Sequence, residues 1–400
     1  MARKLDLRSG RPVWSAYRAP AVPVKASPRS ARCDVLVVGM GVGGAMAAES
    51  LTAEGLDVLM IDRRGPLKGS TAATTALVQY EIDQPLTLLS KQIGRKAAIA
   101  GWRRSRLGLV NLEARIRDLG LDCRMTPRPS LYLAGNVLTP RALEEEAAAR
   151  REAAIPAHFL KPAAMRETYG IDRAAIRSQG NLALDPERLT AGLLLKALER
   201  GARLHAPAEA VDLAHHGDSV EVGLADGATV TAGRVVLATG YELVDIVPRD
   251  RHRIISTWAI ATKPQKRALW PQQAMFWEAS DPYLYARALP DGRVVCGGED
   301  EDFQDEEQRD SLTAAKTARI AAKLKTLLPQ LDTTPDFAWA GAFGTTATGL
   351  PLIGPLPHRP RIFAVMGYGG NGITYAQIAS EMIRNWAAGR SDPDEGLFGF

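Results

Sequence analysis

The 400-residue sequence offers little cysteine or histidine chemistry. Its three cysteines, Cys33, Cys123 and Cys296, lie far apart and form no Cys-x-x-Cys pair, which argues against a disulfide framework and a cysteine zinc site. The six histidines form no His-x-x-x-His pair, and no Gly-x-Ser-x-Gly elbow occurs. We therefore expect a reducing, cytoplasmic environment, no bound metal and no serine hydrolase activity.

Long apolar runs are missing as well. Stretches such as 34–39 and 235–238 fall far short of the roughly 20 residues that a helix needs to span a bilayer. Strong charge of one sign is confined to the start of the chain: residues 1–32 hold eight basic residues and one acidic residue, and the other 368 residues carry a net charge of −2. A nearly neutral body offers no phosphate-binding face, so we expect neither a membrane span nor a nucleic-acid partner.

The basic first segment, residues 1–32, contains Trp14, Tyr17 and four prolines but no apolar run of the secretory kind. An arginine-rich, acid-poor start is also typical of a transit peptide. The aromatic residues and prolines favour an extended arm that lies over the folded body.

Residues 33–64 begin with a continuous apolar strand and a glycine-rich turn. Three glycines match the pattern G-x-G-x-x-G, and a helix and a second strand follow: Gly39, Gly41, Gly44, and Asp62 at the end of that strand. The first glycine permits a tight turn, the second lets a pyrophosphate approach the backbone, and the third packs helix against strand. The helix N-terminus attracts phosphate, and the terminal carboxylate accepts hydrogen bonds from ribose. The motif predicts a dinucleotide site, for nicotinamide or flavin; a turn that serves packing alone is the alternative.

The remaining patterns alternate between helical and strand segments. Helical spacing covers 86–119, and caps followed by proline at Pro140 and Pro186 start two more helices. Short strands follow from 202 to 240, the last of which returns to the parallel sheet. Between about 250 and 345 the pattern predicts antiparallel strands with a hairpin turn at 290–292.

Two later stretches of the sequence are candidate sites, one because it is acidic and the other because it is rich in glycine. The acidic run 299–307 has the appearance of a metal site, but its position before a helix at about 310–328 favours a solvated loop. Near the end, the strand "RIFAVMG" enters a second glycine loop and a helix that starts near Ile373. The N-terminus of that helix is suited to negative charge on a heterocycle.

Taken in order, these motifs resemble the glycine-oxidase and D-amino-acid-oxidase-like family of FAD-dependent oxidoreductases, which includes sarcosine oxidase and γ-glutamylputrescine oxidase. The resemblance covers about residues 10–390. It is carried by Asp62 and by "VVGMGVGGAMAA", "GSTAATTA", "LDPERLTAGLL", "VVLATG", "WAGAFGTTATGLPLIG" and "GYGGNGITYA". It implies an α/β protein with a Rossmann-type FAD-binding domain, discontinuous in sequence, and an inserted α+β substrate domain with an antiparallel sheet.

The resemblance also implies a domain division and a set of cofactor residues. The extended arm covers 1–32, the FAD-binding domain covers 33–85, 181–248 and 345–400, and the substrate domain covers 86–180 and 249–344. The implied FAD contacts are Gly39, Gly41, Gly43, Gly44, Asp62, Arg63, Ser70, Thr71, Thr74, Val211, Thr239, Gly240, Gly341, Gly369, Gly370, Asn371, Gly372, Ile373 and Thr374. No cysteine or histidine falls in a recognised attachment motif, so we expect the FAD to be non-covalent.

Within this resemblance, one position departs from the amino-acid-oxidising members. They place an arginine for the substrate carboxylate two positions after the glycine of W-x-G, where this sequence has Phe343. Tyr283, Tyr285 and Arg287 share one strand face and are the candidate substrate residues, with Arg287 as a substitute clamp and Glu81 as a candidate base. Three hypotheses follow: oxidation of a C–N bond of a small amine or amino-acid-like substrate with O2 or another electron acceptor, oxidation of a 2-hydroxy acid, or a non-catalytic FAD-binding protein.

Overall fold

The computed structural model describes residues 6–242, 244–248 and 250–400. Its helices are α1 (Val42–Ala53), α2 (Leu86–Ile93), α3 (Arg95–Asp118), α4 (Pro140–Glu152), α5 (Pro162–Tyr169), α6 (Pro186–Glu199), α7 (Glu306–Ser311), α8 (Thr313–Leu327), α9 (Gly372–Ala387) and α10 (Glu395–Phe398). Its strands are β1 (Arg8–Gly10), β2 (Ser30–Val38), β3 (Val58–Ile61), β4 (Leu77–Val78), β5 (Thr126–Leu133), β6 (His158–Leu160), β7 (Ala175–Ala183), β8 (Arg203–His205), β9 (Ala210–His216), β10 (Ser219–Leu224), β11 (Thr229–Leu237), β12 (Arg253–Thr262), β13 (Met275–Glu278), β14 (Leu284–Ala288), β15 (Val294–Glu301), β16 (Pro335–Thr345), β17 (Leu352–Leu356) and β18 (Arg359–Met366).

The first sheet is mainly parallel and has the order β17-β18-β11-β2-β3-β8, with the β9–β10 hairpin attached to β11. Strands β18, β11, β2, β3 and β8 pair in parallel, and only β17 and the hairpin are antiparallel. The continuous apolar runs of β2 and β3 are buried because helices pack against the sheet. The glycine-rich turn after β2 therefore stands at the carboxyl edge of a Rossmann-type sheet.

The second sheet is mainly antiparallel and has the order β1-β16-β12-β15-β14-β13-β5-β7-β4, with β6 added beside β7. Strands β13 and β5 are an exception, because they pair in parallel. Helix α8 packs on this sheet through Ile320 and Leu324, which join its apolar core. The mixed α/β class with one parallel and one antiparallel sheet is confirmed.

Several predicted elements have the expected boundaries. Thr139 and Asp185 cap helices α4 and α6, each of which begins at a proline. The helical segment 86–119 is two helices, because Gly94 has a φ of +85° that separates α2 from α3. The hairpin turn at 290–292 joins β14 to β15.

The predicted domain segments distribute between the two sheets with several irregularities, one of which is that β2 begins at Ser30, inside the predicted arm. Strand β4 lies inside the segment 33–85 yet joins the antiparallel sheet beside β7, which itself crosses the boundary at 181. In the first segment, β1 pairs with β16 of the antiparallel sheet. The domain division itself stays a prediction.

The prediction of a solvated loop at 299–307 is correct only for residues 302–305, which are irregular and largely exposed, and it is wrong for the residues on either side, because 306–307 begin α7 and 299–301 are part of a strand. Strand β15 extends to Glu301, and the Glu299 side chain is buried against helix α8, where it pairs with Lys316, Arg319 and Lys323. The sequence pattern failed because the compensating cations come from the next helix. The described residues contain no cluster of ligands that could hold a metal ion. Within the same residues, no helix is long and apolar enough to cross a bilayer.

Candidate cofactor and substrate site

A long cavity of about 1650 Å³, counted to its open mouth, runs from the carboxyl edge of the parallel sheet to the face of the antiparallel sheet. Most of its walls come from six places, which are the turn after β2, the segment 69–79, the loop 238–242, strands β12 to β14, strand β16, and the loop 368–373; Leu7, Asp62, Arg64 and Asp83 add to them. The two glycine-rich turns singled out in the sequence therefore open into one cavity.

At one end, the β2–α1 turn has the geometry that a pyrophosphate site needs. Gly39 has a φ of +114°, and a Cβ there would overlap the carbonyl oxygen of Ala238. A Cβ on Gly44 would overlap the carbonyl oxygen of Gly39, so this glycine permits the close packing of α1 on β2. The Val42 N–H at the start of α1 donates to Thr71 Oγ1 at 3.1 Å, which ties the turn to the hydroxyl-rich segment.

Asp62 is fixed in position at the same end of the cavity. Its carboxylate accepts backbone hydrogen bonds from Met40 (2.8 Å), Arg64 (2.7 Å) and Gly65 (2.8 Å). Its neighbour Arg63 does not line the cavity, because its guanidinium pairs with Glu209 and Glu242. Arg64 does line the cavity, and its pairing with Glu242 raises the pKa of its guanidinium.

The hydroxyl-rich segment 69–79 forms the central wall. Ser70, Thr71 and Thr74 line the cavity, and both Ser70 Oγ and Gln79 Nε2 are buried without a hydrogen-bond partner among the described residues. Buried polar atoms without partners are rare in folded proteins. The glycine turns leave space for a ligand, and the unpartnered polar atoms of Ser70 and Gln79 lie in the wall of that space. Both features fit a bound dinucleotide.

Two indole groups hold the backbone of this wall by hydrogen bonds. Trp14 Nε1 donates to the carbonyl of Thr74 at 2.7 Å, and Trp339 Nε1 donates to the carbonyl of Ala73 at 2.8 Å. Trp14 belongs to the N-terminal segment and is buried. The arm therefore takes part in shaping the cavity.

The second glycine turn forms the wall beyond the hydroxyl-rich segment. Residues Gly369–Asn371 form a short 3₁₀ turn before α9, and the Gly370 N–H donates to Asp83 Oδ2 at 2.9 Å. Desolvation raises the pKa of Asp83, and the Gly370 hydrogen bond opposes that shift. The backbone donors that the resemblance assigns to a flavin ring therefore stand beside a carboxylate.

The far end of the cavity is aromatic. Its walls include Trp258, Trp277, Tyr283, Tyr285 and Phe343. The rings of Tyr283 and Tyr285 lie 5.8 Å apart, and the Tyr283 hydroxyl donates to Asp300 Oδ2 at 2.6 Å. Among the described lining residues, no cationic side chain reaches this end.

The cavity brings together most of the predicted site residues. Those that line it are Gly39, Gly41, Gly43, Asp62, Ser70, Thr71, Thr74, Thr239, Gly240, Tyr283, Tyr285, Gly341, Gly369, Gly370, Asn371, Gly372 and Ile373. Those that do not are Gly44, Arg63, Glu81, Val211, Arg287 and Thr374. Val211 lies in β9, and Thr374 Oγ1 donates to the carbonyl of Gln79.

Arg287 and Glu81 lie behind the cavity wall. The Arg287 guanidinium donates to the carbonyls of Ala76 (2.5 Å) and Leu184 (2.9 Å), and burial lowers its pKa to about 9. Glu81 is buried and accepts a hydrogen bond from Ser130 Oγ at 2.5 Å. Arg287 shares β14 with Tyr285, and Tyr283 directly precedes that strand, but the Arg287 guanidinium is bound to backbone carbonyls and does not line the cavity.

Two acidic residues of the site were not among the predicted ones. Asp83 follows the stretch "VQYEI", and Asp300 belongs to the acidic run interpreted as a solvated loop. Neither lies in a local motif. For Asp300 the two-residue period is misleading: Gly297 pairs with Tyr285, so regular alternation would place Glu299 on the face of Tyr285, and the positive φ angles of Gly298 (+131°) and Glu299 (+59°) reverse that order.

Comparisons with known proteins agree with this arrangement. The family described as FAD dependent oxidoreductase matches residues 34–386. The tRNA 5-methylaminomethyl-2-thiouridine biosynthesis bifunctional protein MnmC of Cupriavidus necator is 22% identical over 98% of this chain, which spans only 62% of the length of that relative. Glycine oxidase from Geobacillus kaustophilus superposes with a TM-score of 0.76 at 19% identity, covering 92% of this chain and 98% of its own. L-amino acid deaminase from Proteus myxofaciens, in complex with anthranilate, superposes with a TM-score of 0.77 at 14% identity, covering 100% and 99%.

Proposed function

Since the chain belongs to the family of FAD-dependent oxidoreductases, which matches it over residues 34–386, we propose that it oxidises a C–N bond of a small amine or amino-acid-like substrate by hydride transfer to flavin N5. The observation that carries this proposal is the aromatic end of the cavity. Among the described lining residues, this end offers rings and hydroxyls to a substrate but no cation for a carboxylate; the lining cation Arg64 lies at the other end, with Asp62, and is paired with Glu242.

The residues that would hold FAD are those of the two glycine turns and the hydroxyl-rich wall. Bound FAD would supply the hydride acceptor and pass the electrons on to O2 or another acceptor. We propose that it is bound non-covalently, because no cysteine or histidine lines the cavity among the described residues. The Asp62 carboxylate would accept hydrogen bonds from ribose, and the N-terminus of α1 would face the phosphates.

The aromatic end would bind the amine and prepare it for oxidation. A protonated amine has no free electron pair to support loss of hydride, so the neutral form has to be selected. Burial between Trp277, Tyr285 and Phe343 disfavours the charged amine by desolvation, which lowers its pKa. The same walls exclude water and hold the substrate carbon against the cofactor.

The observed placement of Arg287 counts against a 2-hydroxy acid as substrate. That hypothesis requires a basic group for the carboxylate in the cavity, and Arg287 is held by two backbone carbonyls behind the wall. The open cavity counts against a non-catalytic role. We further propose a small-molecule partner rather than a nucleic acid, given the near-neutral body, and a cytoplasmic location, given three free thiols.

The test is anaerobic mixing of the flavin-containing protein with a panel of primary and secondary amines, 2-amino acids and 2-hydroxy acids. We expect amines to bleach the flavin absorbance and the acids lacking an amine to leave it unchanged. Bleaching by 2-hydroxy acids alone would reverse the assignment of substrate class. No bleaching by any class would leave the non-catalytic hypothesis standing. Mixing with denatured protein plus free FAD is the control for direct chemistry.

A further inference from the structure

The hydroxyl of Tyr283 has a fixed direction in the aromatic end of the cavity. A tyrosine hydroxyl has one hydrogen to donate and lone pairs to accept with. That hydrogen goes to Asp300 Oδ2, at an O–O distance of 2.6 Å. Desolvation raises the pKa of Tyr283 well above its usual value, so the hydroxyl keeps its proton. The Tyr283 hydroxyl oxygen can therefore accept a hydrogen bond from a ligand in the cavity but has no hydrogen left to donate to it.

The charges around Asp300 favour this arrangement near neutral pH. The charge of Lys316 on α8 acts on Asp300, and its ammonium donates to the Glu299 carbonyl (2.7 Å) and to Glu301 Oε1 (2.6 Å). The other groups that act on Asp300 are the Thr257 hydroxyl on β12, the Tyr283 hydroxyl just before β14 and the Asp83 carboxylate. Asp300 Oδ1 is buried and has no hydrogen-bond partner among the described residues. The carboxylate therefore has spare capacity for a donor hydrogen.

We propose that Asp300 acts as a positioning residue: it commits the Tyr283 hydroxyl as a hydrogen-bond acceptor toward the cavity, so that the site admits amine N–H donors and disfavours carboxylates. This inference rests on the proposed amine-oxidising function and names the polarity of its substrate site. A carboxylate placed against Tyr283 would meet lone pairs rather than a hydrogen, and it would also face the negative charge of Asp300.

The same arrangement implies a dependence on pH. Burial raises the pKa of Asp300 to about 6, against the neighbouring hydroxyls of Thr257 and Tyr283 and the charge of Lys316, which lower it. Below that pH a protonated Asp300 no longer requires the Tyr283 hydrogen and no longer repels an anion. The preference for amines over carboxylates is therefore present above about pH 6 and is lost as the pH falls through it.

The experiment uses the flavin-containing protein and two probes of similar shape, benzylamine and benzoate. Neither probe changes its charge between about pH 5.5 and 8, because a carboxylic acid titrates near 4 and an alkylamine near 10. Dissociation constants are read from the shift of the flavin absorbance under anaerobic conditions. Any reduction of the flavin by benzylamine is recorded separately, as the test of the proposed function.

At pH 8 we expect benzylamine to bind at least about tenfold more tightly than benzoate, and the ratio to fall toward one at pH 5.5. We expect D300A and Y283F to bind benzylamine and benzoate with similar affinity at both pH values. We expect D300E to prefer benzylamine as the wild-type protein does. The matched control is D302N, a carboxylate two positions on that is exposed and paired with Arg253. Flavin content of each variant shows whether it folds.

The inference is overturned if D300A keeps both the wild-type ratio and its pH dependence, if the wild-type protein prefers benzoate, or if benzylamine does not bind. Selective binding of benzylamine without reduction of the flavin would support the inference while counting against the proposed function. Reduction of the flavin by benzylamine, together with a benzylamine-to-benzoate affinity ratio that is the same in D300A as in the wild type, would support the proposed function and count against the inference.

Discussion

At the scale of single residues, Asp83 is a carboxylate whose negative charge would oppose the reduction of a flavin in this cavity. Its carboxylate accepts the Gly370 N–H in the turn that the family resemblance assigns to the flavin ring. A negative charge there disfavours the extra negative charge of a reduced flavin, and the effect is strong in a low-dielectric cavity. We therefore expect Asp83 to lower the tendency of a flavin bound there to be reduced.

We expect Asp83→Asn to raise the two-electron midpoint potential of the bound flavin by at least about 30 mV, equivalent to about 1.4 kcal/mol. The amide keeps an oxygen acceptor for Gly370 but removes the charge. The measurement is a reductive titration against a reference dye at pH 8, with D302N as the exposed carboxylate control. An unchanged or lower potential in Asp83→Asn would contradict the role assigned to its charge.

At the scale of elements, the contact of α1 with β2 depends on one glycine. A Cβ at Gly44 would overlap the backbone oxygen of Gly39, and neither backbone can move without opening the turn. We expect Gly44→Ala to destabilise the protein by about 2 kcal/mol or more and to lower the flavin content of purified protein. Thermal unfolding and the ratio of flavin to protein absorbance measure the two effects.

Gly223→Ala in β10 is the matched control, because a Cβ there would lie 3.6 Å from the Cβ of Asp212, an ordinary contact distance. It should retain its flavin. If Gly44→Ala binds flavin as well as the wild-type protein does, the turn is more adaptable than its geometry indicates.

The N-terminal segment is the second element whose effect reaches the site. Trp14 is buried, and its indole holds the Thr74 carbonyl behind the cavity wall. We expect Trp14→Ala to cost about 3–5 kcal/mol of stability and to weaken flavin retention. Trp386→Ala is the comparison: this half-buried indole donates to the Pro360 carbonyl and does not line the cavity, so it should lower stability but spare the flavin. Equal flavin loss in both variants would mean that the arm acts through stability alone.

The elements also show which features a sequence can predict. The glycine turn after β2, the caps at Thr139 and Asp185, and the hairpin at 290–292 depend on neighbours within a few residues, so local patterns identify them. The burial of Glu299 and the hydrogen bond from Tyr283 to Asp300 depend on pairing between separate strands and on cations from α8. Arg287 was placed on the correct strand, but the segment that covers it comes from more than 200 positions earlier in the chain.

At the scale of the whole molecule, His252 lies at the junction of the two sheets. A Cβ on Gly344 of β16 would overlap its ring, and a Cβ on Gly367, just after β18, would approach it to 3.6 Å. Burial lowers its pKa to about 4, and its Nε2 has no partner among the described residues. The folded protein therefore holds this histidine in the neutral form.

The consequence for stability follows from proton linkage. The unfolded chain binds a proton at this histidine near pH 6.5, and the folded chain does so only near pH 4, so stability is lost as the pH falls between these values. We expect a loss of up to about 3 kcal/mol from this group. Denaturant unfolding of wild-type protein and His252→Leu at pH 7 and pH 4.5 measures it. A wild-type loss no greater than that of the variant would contradict the assignment.

The pairing of β1 with β16 sets an order of events during synthesis. Arg8 lies opposite Gly341 in the completed sheet, so β1 leaves the ribosome well before β16 and has no partner strand until β16 has been made. Until then Trp339 is also missing, so the Ala73 carbonyl that its indole holds in the completed cavity wall has no donor. Closure of the antiparallel sheet edge and maturation of the cofactor cavity are therefore late steps, which the nascent chain completes together.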